Sequence, residues 1–360
     1  MLQAEGRTQM VENRLAKRRW TLKRVSMWGV CLLVGGLLAG ELGARYVAGL
    51  GDPPLYVLDS EIEYLLVPNQ KCRRFGHDYI VNKWSMRAGE ISEHRVAGSS
   101  DYRVMVIGDS IVNGGAKIDQ GELATTMLAR VSLAKECGPH ERMVVGNMSA
   151  GSWGPPNELA YVKRFGLFDA DLLVIVLNSD DYDDVPGLEY IGSAWPQSKP
   201  TFALRELVSV YGWKAACKAL GRPAEPLPPV HGATHEEDVE QCRAAFVELV
   251  GLARSKGARV AVVQYLRKQE VTGAVRPGHE VISGWIKQVG VETYSTAEKF
   301  RSALGDGAAD PFIAGDEVHA SARGQKLLAG LFERIVEDAI RKEKEGELKG
   351  AVPAMPASGP

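Results

Sequence analysis

The feature that most constrains the fold is a run of short, β-branched apolar segments, each followed by a stretch of helical periodicity. Residues 103–107, 143–147, 172–177, 259–265 and, more weakly, 291–294 read as strands. Residues 121–135, 156–165, 201–220, 235–256, 278–289 and 321–344 read as helices. Strands that are apolar at nearly every position have no face to offer water, so they are buried on both sides. Their alternation with helices predicts an α/β fold: a parallel sheet covered on both faces, a three-layer α/β/α sandwich. Such sheets place their ligands beyond the carboxyl ends of the strands.

The first strand runs directly into Gly108-Asp109-Ser110, and about two hundred residues later the chain reads Asp316-Glu317-Val318-His319. A serine hydroxyl is a poor nucleophile until a base takes its proton, and a histidine base works best when a carboxylate fixes its tautomer. Ser110, His319 and Asp316 supply those three parts, and a spacing of three lets Asp316 reach the imidazole within one turn. Taken alone, Gly-Asp-Ser is an ordinary turn whose serine caps a helix, and His319 is a surface histidine at a helix start. Their joint placement, after the first strand and before the last helix, favours a catalytic serine.

The 360 residues, 45% hydrophobic and 24% charged, allow one large core. A net charge of -2 and dispersed basic residues give no footing for nucleic acid. The exception is the start, where Arg14, Lys17, Arg18, Arg19, Lys23 and Arg24 precede an uncharged apolar stretch, residues 25–40, that continues to 50 apart from Glu41 and Arg45. This reads as a transmembrane anchor at 25–50, with the basic segment 1–24 in the cytoplasm and the remainder beyond the membrane. A cleaved signal peptide is the rival, although no clean small-x-small site follows, and a merely buried helix is the third reading.

Cys31 is not preceded by a lipobox, and the five cysteines form no metal or redox motif. An exported domain can pair two of Cys72, Cys137, Cys217 and Cys242, and the sequence does not choose which. A lead-in of turns and short β-prone pieces spans 51–100, the main domain 101–342 and a disordered tail 343–360. The four prolines between 222 and 229 mark a loop inside the main domain.

Over roughly residues 103–339 these blocks resemble the SGNH, or GDSL-like, hydrolase family, whose members include esterases, lipases, thioesterases and carbohydrate O-acetylesterases. The resemblance implies Ser110 as nucleophile with Asp316 and His319 as its partners. The Gly-x-Ser-x-Gly elbow of the α/β-hydrolases is absent, because Val112 holds its last position. The family's oxyanion hole uses the serine N–H of Ser110, a glycine N–H and an asparagine side chain. The glycine block resembles residues 147–154, with Gly151 the first choice and Gly154 the second.

The asparagine block departs from the family's Gly-x-Asn-Asp: here it reads Asn178-Ser179-Asp180-Asp181. Counted from the strand, Asp180 takes the asparagine position and Asn178 the glycine position. An ionised aspartate cannot donate a hydrogen bond. Three arrangements stay open: Asn178 swings in as donor, Asp180 is protonated, or Asp180 has another role and Ser110 and Gly151 form a two-donor hole. The acidic run 180–184 lacks the glycine and distal glutamate of a calcium loop, so neither metal nor cofactor is expected.

Val67-Pro68-Asn69 and residues 81–87 are similar to the Pro-Asn and Asn-x-x-Gly-x-Arg lead-in of a subset of membrane-anchored bacterial SGNH proteins associated with polysaccharide assembly. This resemblance implies a single-pass protein of the bacterial inner membrane, its catalytic domain outside the cytoplasm. It also implies an esterase acting on acyl groups, above all O-acetyl, of an envelope or exopolysaccharide glycan. A lipase or thioesterase on acyl chains, and a non-catalytic glycan-binding scaffold, are the rival readings. Trp153, Tyr182 and Trp195 are candidates to line a sugar site, with at least two of them expected to serve packing.

Overall fold

The structure, a computed structural model, describes residues 2–131, 142–187, 195–222 and 235–350. It forms two compact units, Pro53–Lys199 with Glu225–Pro360, and Met1–Asp52 with Pro200–Ala224. The smaller unit begins with α1 (Leu2–Leu42), and its stretch Lys23–Val47 is the one helix among the described residues long and apolar enough to cross a membrane.

The larger unit opens with two antiparallel hairpins, β1 (Tyr56–Asp59) with β2 (Glu63–Leu66), and β3 (Lys71–Arg74) with β4 (His77–Ile80). Then come β5 (Asp101–Gly108), α2 (Ser110–Asn113), α3 (Ala124–Leu128), β6 (Arg142–Ser149), α4 (Pro155–Phe165) and β7 (Leu172–Leu177). The chain next passes through the smaller unit as α5 (Ala203–Glu206) and α6 (Trp213–Ala219), joined by the π-helical stretch Leu207–Gly212. It returns as α7 (His235–Ser255), β8 (Arg259–Gln264), α8 (Lys268–Thr272), α9 (Pro277–Val289), β9 (Glu292–Ser295), α10 (Ala297–Gly305) and α11 (Ala322–Gly350).

The five long-range strands form one parallel sheet in the order β6-β5-β7-β8-β9. Their side chains alternate between two cores. Met105, Ile107, Leu173, Ile175 and Val262 pack with Leu159, Phe246 and Trp285 on one face, while Val104, Val106, Val174 and Val263 pack with Phe300, Phe332 and Ile335 on the other. Because successive residues of a strand point to opposite faces, an unbroken apolar run is what a sheet covered on both sides requires. The chain is therefore the three-layer α/β/α sandwich that the alternation predicts. Its strand order reverses around β5, and the crevice at such a switch point is where ligands bind in open α/β sheets.

Several elements differ from the sequence reading. The helix expected at 121–135 is a 3-10 turn, Gln120–Glu122, followed by α3, because Leu123 between them is extended (φ -67°, ψ 140°); residues 132–135 lie outside the described residues. The helix expected at 201–220 is interrupted by its π-helical turns. The last helix continues past Lys344 to Gly350, carried by strong helix formers such as Lys344, Glu345 and Leu348. The five residues of α8 are too few to show a period, and α10, with Phe300 and Ala303 buried one turn apart, was not among the expected helices. No disulfide joins Cys72, Cys217 or Cys242 to another described cysteine, and Cys137 and the prolines at 223–229 lie outside the described residues.

Candidate active site

The carboxyl end of β5 explains its Gly-Asp-Ser turn. A Cβ on Gly108 would lie 2.7 Å from Val112 Cγ2 and 3.0 Å from the carbonyl of Val176, so only glycine lets the chain turn so tightly against β7. Asp109, rather than Ser110, caps α2: its carboxylate accepts the N–H of Ile111 at 2.8 Å. The Ser110 hydroxyl is thereby left for another partner. Gly114 ends α2 in the left-handed region (φ 75°), where a Cβ would press on Leu123.

That partner is His319, whose Nε2 lies 2.9 Å from Ser110 Oγ. On the other side of the ring, Nδ1 lies 2.8 Å from Asp316 Oδ2, and Asp316 Oδ1 accepts the N–H groups of Val318 and His319, both at 2.9 Å. Burial works to raise the Asp316 carboxyl, but these backbone donors and the imidazole outweigh it and hold it below its usual range. The loop is fixed from behind. Tyr265 donates its hydroxyl to the carbonyl of Val318, the N–H of Lys268 reaches Glu317, and the N–H of Ile313 reaches the carbonyl of His319.

The residues expected to form an oxyanion hole can be laid out from strand register. Gly108 pairs with Ser149 and Ile107 with Ile175, so Ser110, Gly151 and Asn178 stand at matching offsets beyond three adjacent strands. As the first residue of α2, Ser110 has an N–H that no carbonyl of its own helix accepts. The N–H of Gly151 donates to nothing among the described residues, and its carbonyl takes the hydroxyl of Tyr64 from β2. Gly154 is placed differently: its N–H is held by Asn157 at 3.0 Å, and a Cβ there would collide with the Asp184 carbonyl.

Asn178 is buried with its amide committed. Nδ2 donates to Asp109 Oδ2 at 3.0 Å and to Asp181 Oδ1 at 2.8 Å, while Asp181 Oδ2 accepts the Asn178 backbone N–H at 2.7 Å. Asp180 is partly exposed and its two oxygens are ion-paired with Arg267 and Arg276. Register accounts for the first pair, because Leu177 lies opposite Gln264 and three further residues lead to Asp180 and Arg267. Buried Glu270 pins the loop carrying both arginines by accepting their backbone N–H groups at 2.9 and 3.1 Å.

Several carboxyls interact with Asp109, the neighbour of Ser110. Burial pushes Asp109 up to about 6, against the N–H of Ile111 and the charges of His319 and Arg267. Asp184 is pushed up to about 8 by burial and by the charges of Asp109, Glu63 and Asp183. Burial, with the charge of Asp109, also raises Glu158 and Asp181 well above the usual carboxylate range. No group of His, Cys, Asp and Glu among the described residues has metal-ligand geometry.

Sequence reading missed the supports. Arg87 is fully buried without a carboxylate: its guanidinium donates to the carbonyls of Asn113, Gly115 and Ile118 at 2.5 to 2.6 Å and lies over the ring of Tyr79. Tyr79 in turn donates to Asn113, whose amide reaches the carbonyl of Ser149, so the lead-in braces the end of α2 against β6. The Asn-x-x-Gly-x-Arg pattern was the available signal. Here Ser85 occupies the glycine position at φ 60°, the left-handed backbone that makes glycine the easier choice. Of the three aromatic candidates, Trp153 is buried in the core, whereas Tyr182 and Trp195 are partly exposed, with Trp195 beside Gly151.

No family profile and no curated protein matches the chain. Among solved structures it is similar to a GDSL-like lipase from Bacteroides thetaiotaomicron, with 13% identity over 66% of this chain and 88% of that one at a TM-score of 0.36. It is also similar to an acetyl xylan esterase, with 14% identity over 65% of this chain and 99% of that one at a TM-score of 0.39.

Proposed function

We propose that this chain is a serine esterase of the SGNH type, held in a membrane by its N-terminal helix, that removes or transfers O-acetyl groups on an envelope glycan. The observation that carries the reading is the continuous line from Ser110 Oγ through His319 to Asp316, with contacts of 2.9 and 2.8 Å. Ser110 attacks the ester carbonyl as His319 Nε2 takes its proton, and Asp316 steadies the imidazolium. His319 returns that proton to the departing sugar oxygen, leaving an acyl-Ser110. Water, or a second sugar hydroxyl, gives its proton to His319 and attacks the acyl group; the bond to Ser110 Oγ breaks, His319 passes the proton to that oxygen, and the free acid or the new sugar ester leaves.

The N–H groups of Ser110 and Gly151 serve the oxyanion, Asn178 braces the turn through Asp109, and Asp180 holds Arg267 and Arg276. Losing a third donor costs about 10²- to 10³-fold in turnover in well-studied cases, so a slow enzyme is expected. The acetyl and glycan assignments rest on the resemblance of the lead-in and blocks. The apolar helix with its basic flank supports an anchor in the bacterial inner membrane and a domain on its far side.

The test is fluorophosphonate labelling of the full chain together with a p-nitrophenyl ester series. Labelling that maps to Ser110, with rates falling from acetate to longer acyl chains, is the expected result. Rates that rise with chain length would move the assignment to a lipase or thioesterase. A second reading, a non-catalytic glycan-binding protein, is favoured by the committed amide of Asn178. It predicts an unreactive Ser110.

A further inference from the structure

The smaller unit contains a feature that catalysis does not use. The first turn of α5 is fastened to the far end of the apolar helix: Glu41 accepts the N–H groups of Ala203 and Leu204 at 3.1 and 2.9 Å, an N-cap supplied from elsewhere in the chain. Arg45 donates to the carbonyl of Thr201, and the carboxylate of Glu206 accepts the N–H of Gly51 at 2.7 Å. Gly51 has φ 87°, and a Cβ on it would lie 2.9 Å from that of Ala203, so the close approach itself requires glycine. Beyond this joint the helical segment displays Phe202, Val208, Trp213 and Leu220, which are 58 to 70% exposed. Between 200 and 224 there are four basic residues, Arg205, Lys214, Lys218 and Arg222, and one acid, Glu206, which the joint consumes.

We infer that the segment from Phe202 to Leu220 lies in the membrane–water interface as a second bilayer contact, its apolar side chains among the acyl chains and its basic ones at the headgroups. The joint puts the start of the segment at the end of the Lys23–Val47 span, so its apolar surface emerges at the boundary between hydrocarbon and water. Aromatic and aliphatic side chains mixed with lysine and arginine match that zone in chemistry and in charge. The inference rests on the reading of the apolar helix as a membrane anchor.

The test is tryptophan quenching of the full chain in vesicles of phosphatidylcholine and phosphatidylglycerol, with bromine near the headgroup end of the acyl chains. Trp28→Phe reports the anchor and Trp213→Phe reports the segment. The expected result is that each substitution removes one tryptophan's contribution from the quenchable emission, roughly a seventh of the total emission of the seven tryptophans. In Val208→Asp combined with Leu220→Asp, the Trp213 share is lost and the Trp28 share persists. If only Trp28→Phe lowers the quenching, the anchor holds and the interfacial segment is overturned, as when a protein partner covers it. If neither does, both fall.

Discussion

On one side of the candidate site Ser110, His319 and Asp316 form one hydrogen-bonded line, and the loop carrying the last two is held by its own N–H groups, by Tyr265 just past β8 and by Lys268 at the start of α8. On the oxyanion side, the side chains that would serve a developing charge are already occupied: Asn178 bridges two aspartates and Asp180 is paired with two arginines. In the proposed esterase the first side is already aligned for proton transfer, while the second would draw on the backbone N–H groups of Ser110 and Gly151. Backbone N–H groups are fixed by the fold, so they add little reorganisation cost, but a side-chain donor cannot help while carboxylates hold it.

The largest effects should break the first side. Ser110→Ala should reduce ester hydrolysis by roughly 10⁴- to 10⁶-fold, and Asp316→Asn by about 10⁴-fold with folding intact, read as kcat on p-nitrophenyl acetate. Full activity in Ser110→Ala would remove the nucleophile from the comparison. For the second side, Asn178→Ala should lower unfolding free energy by about 1 to 3 kcal/mol, since it strips hydrogen bonds from buried Asp109 and Asp181. Its kcat should stay within about tenfold of the parent in the folded fraction; a drop of 10²-fold or more at unchanged stability would make Asn178 a true oxyanion donor.

Asp180→Asn should change kcat less still, by under about tenfold, because it removes one partner of an exposed ion-pair cluster. A gain of about 10²-fold would instead mean that the amide had supplied a missing donor. The smallest effect concerns the carboxyls that interact with Asp109. Asp184 is raised to about 8, so its stabilising contribution is present in acid and is lost as pH rises from about 4 to 8, the unfolded chain shedding a proton the folded chain keeps. Asp184→Asn should therefore raise Tm at pH 8 by a few °C, with the advantage shrinking toward pH 4; equal shifts at both pH values would refute the burial argument.

The strands were legible because burial on both faces demands unbroken apolar runs, and all five stand within two residues of their expected positions. The Asp316–His319 pair was legible because it is local, closed within one loop. Arg267 was not, although its offset beyond β8 matches that of Asp180 beyond β7 and would have paired them had the strand order been known. The same limit applied to Arg87 and Tyr79, whose partner Asn113 lies 26 and 34 residues further along the chain.

What the sequence determined by itself is therefore everything carried by periodicity and short spacing: the sandwich, the Gly-Asp-Ser turn, the Asp-x-x-His loop and the apolar N-terminal helix. Only the tertiary structure decided that Ser110 and His319, 209 residues apart, come within 2.9 Å. It alone decided that Asn178 faces two carboxylates and that Asp180 faces two arginines. Those contacts depend on which strands are neighbours and in what register, and residues distant in the chain carry no local signal of either.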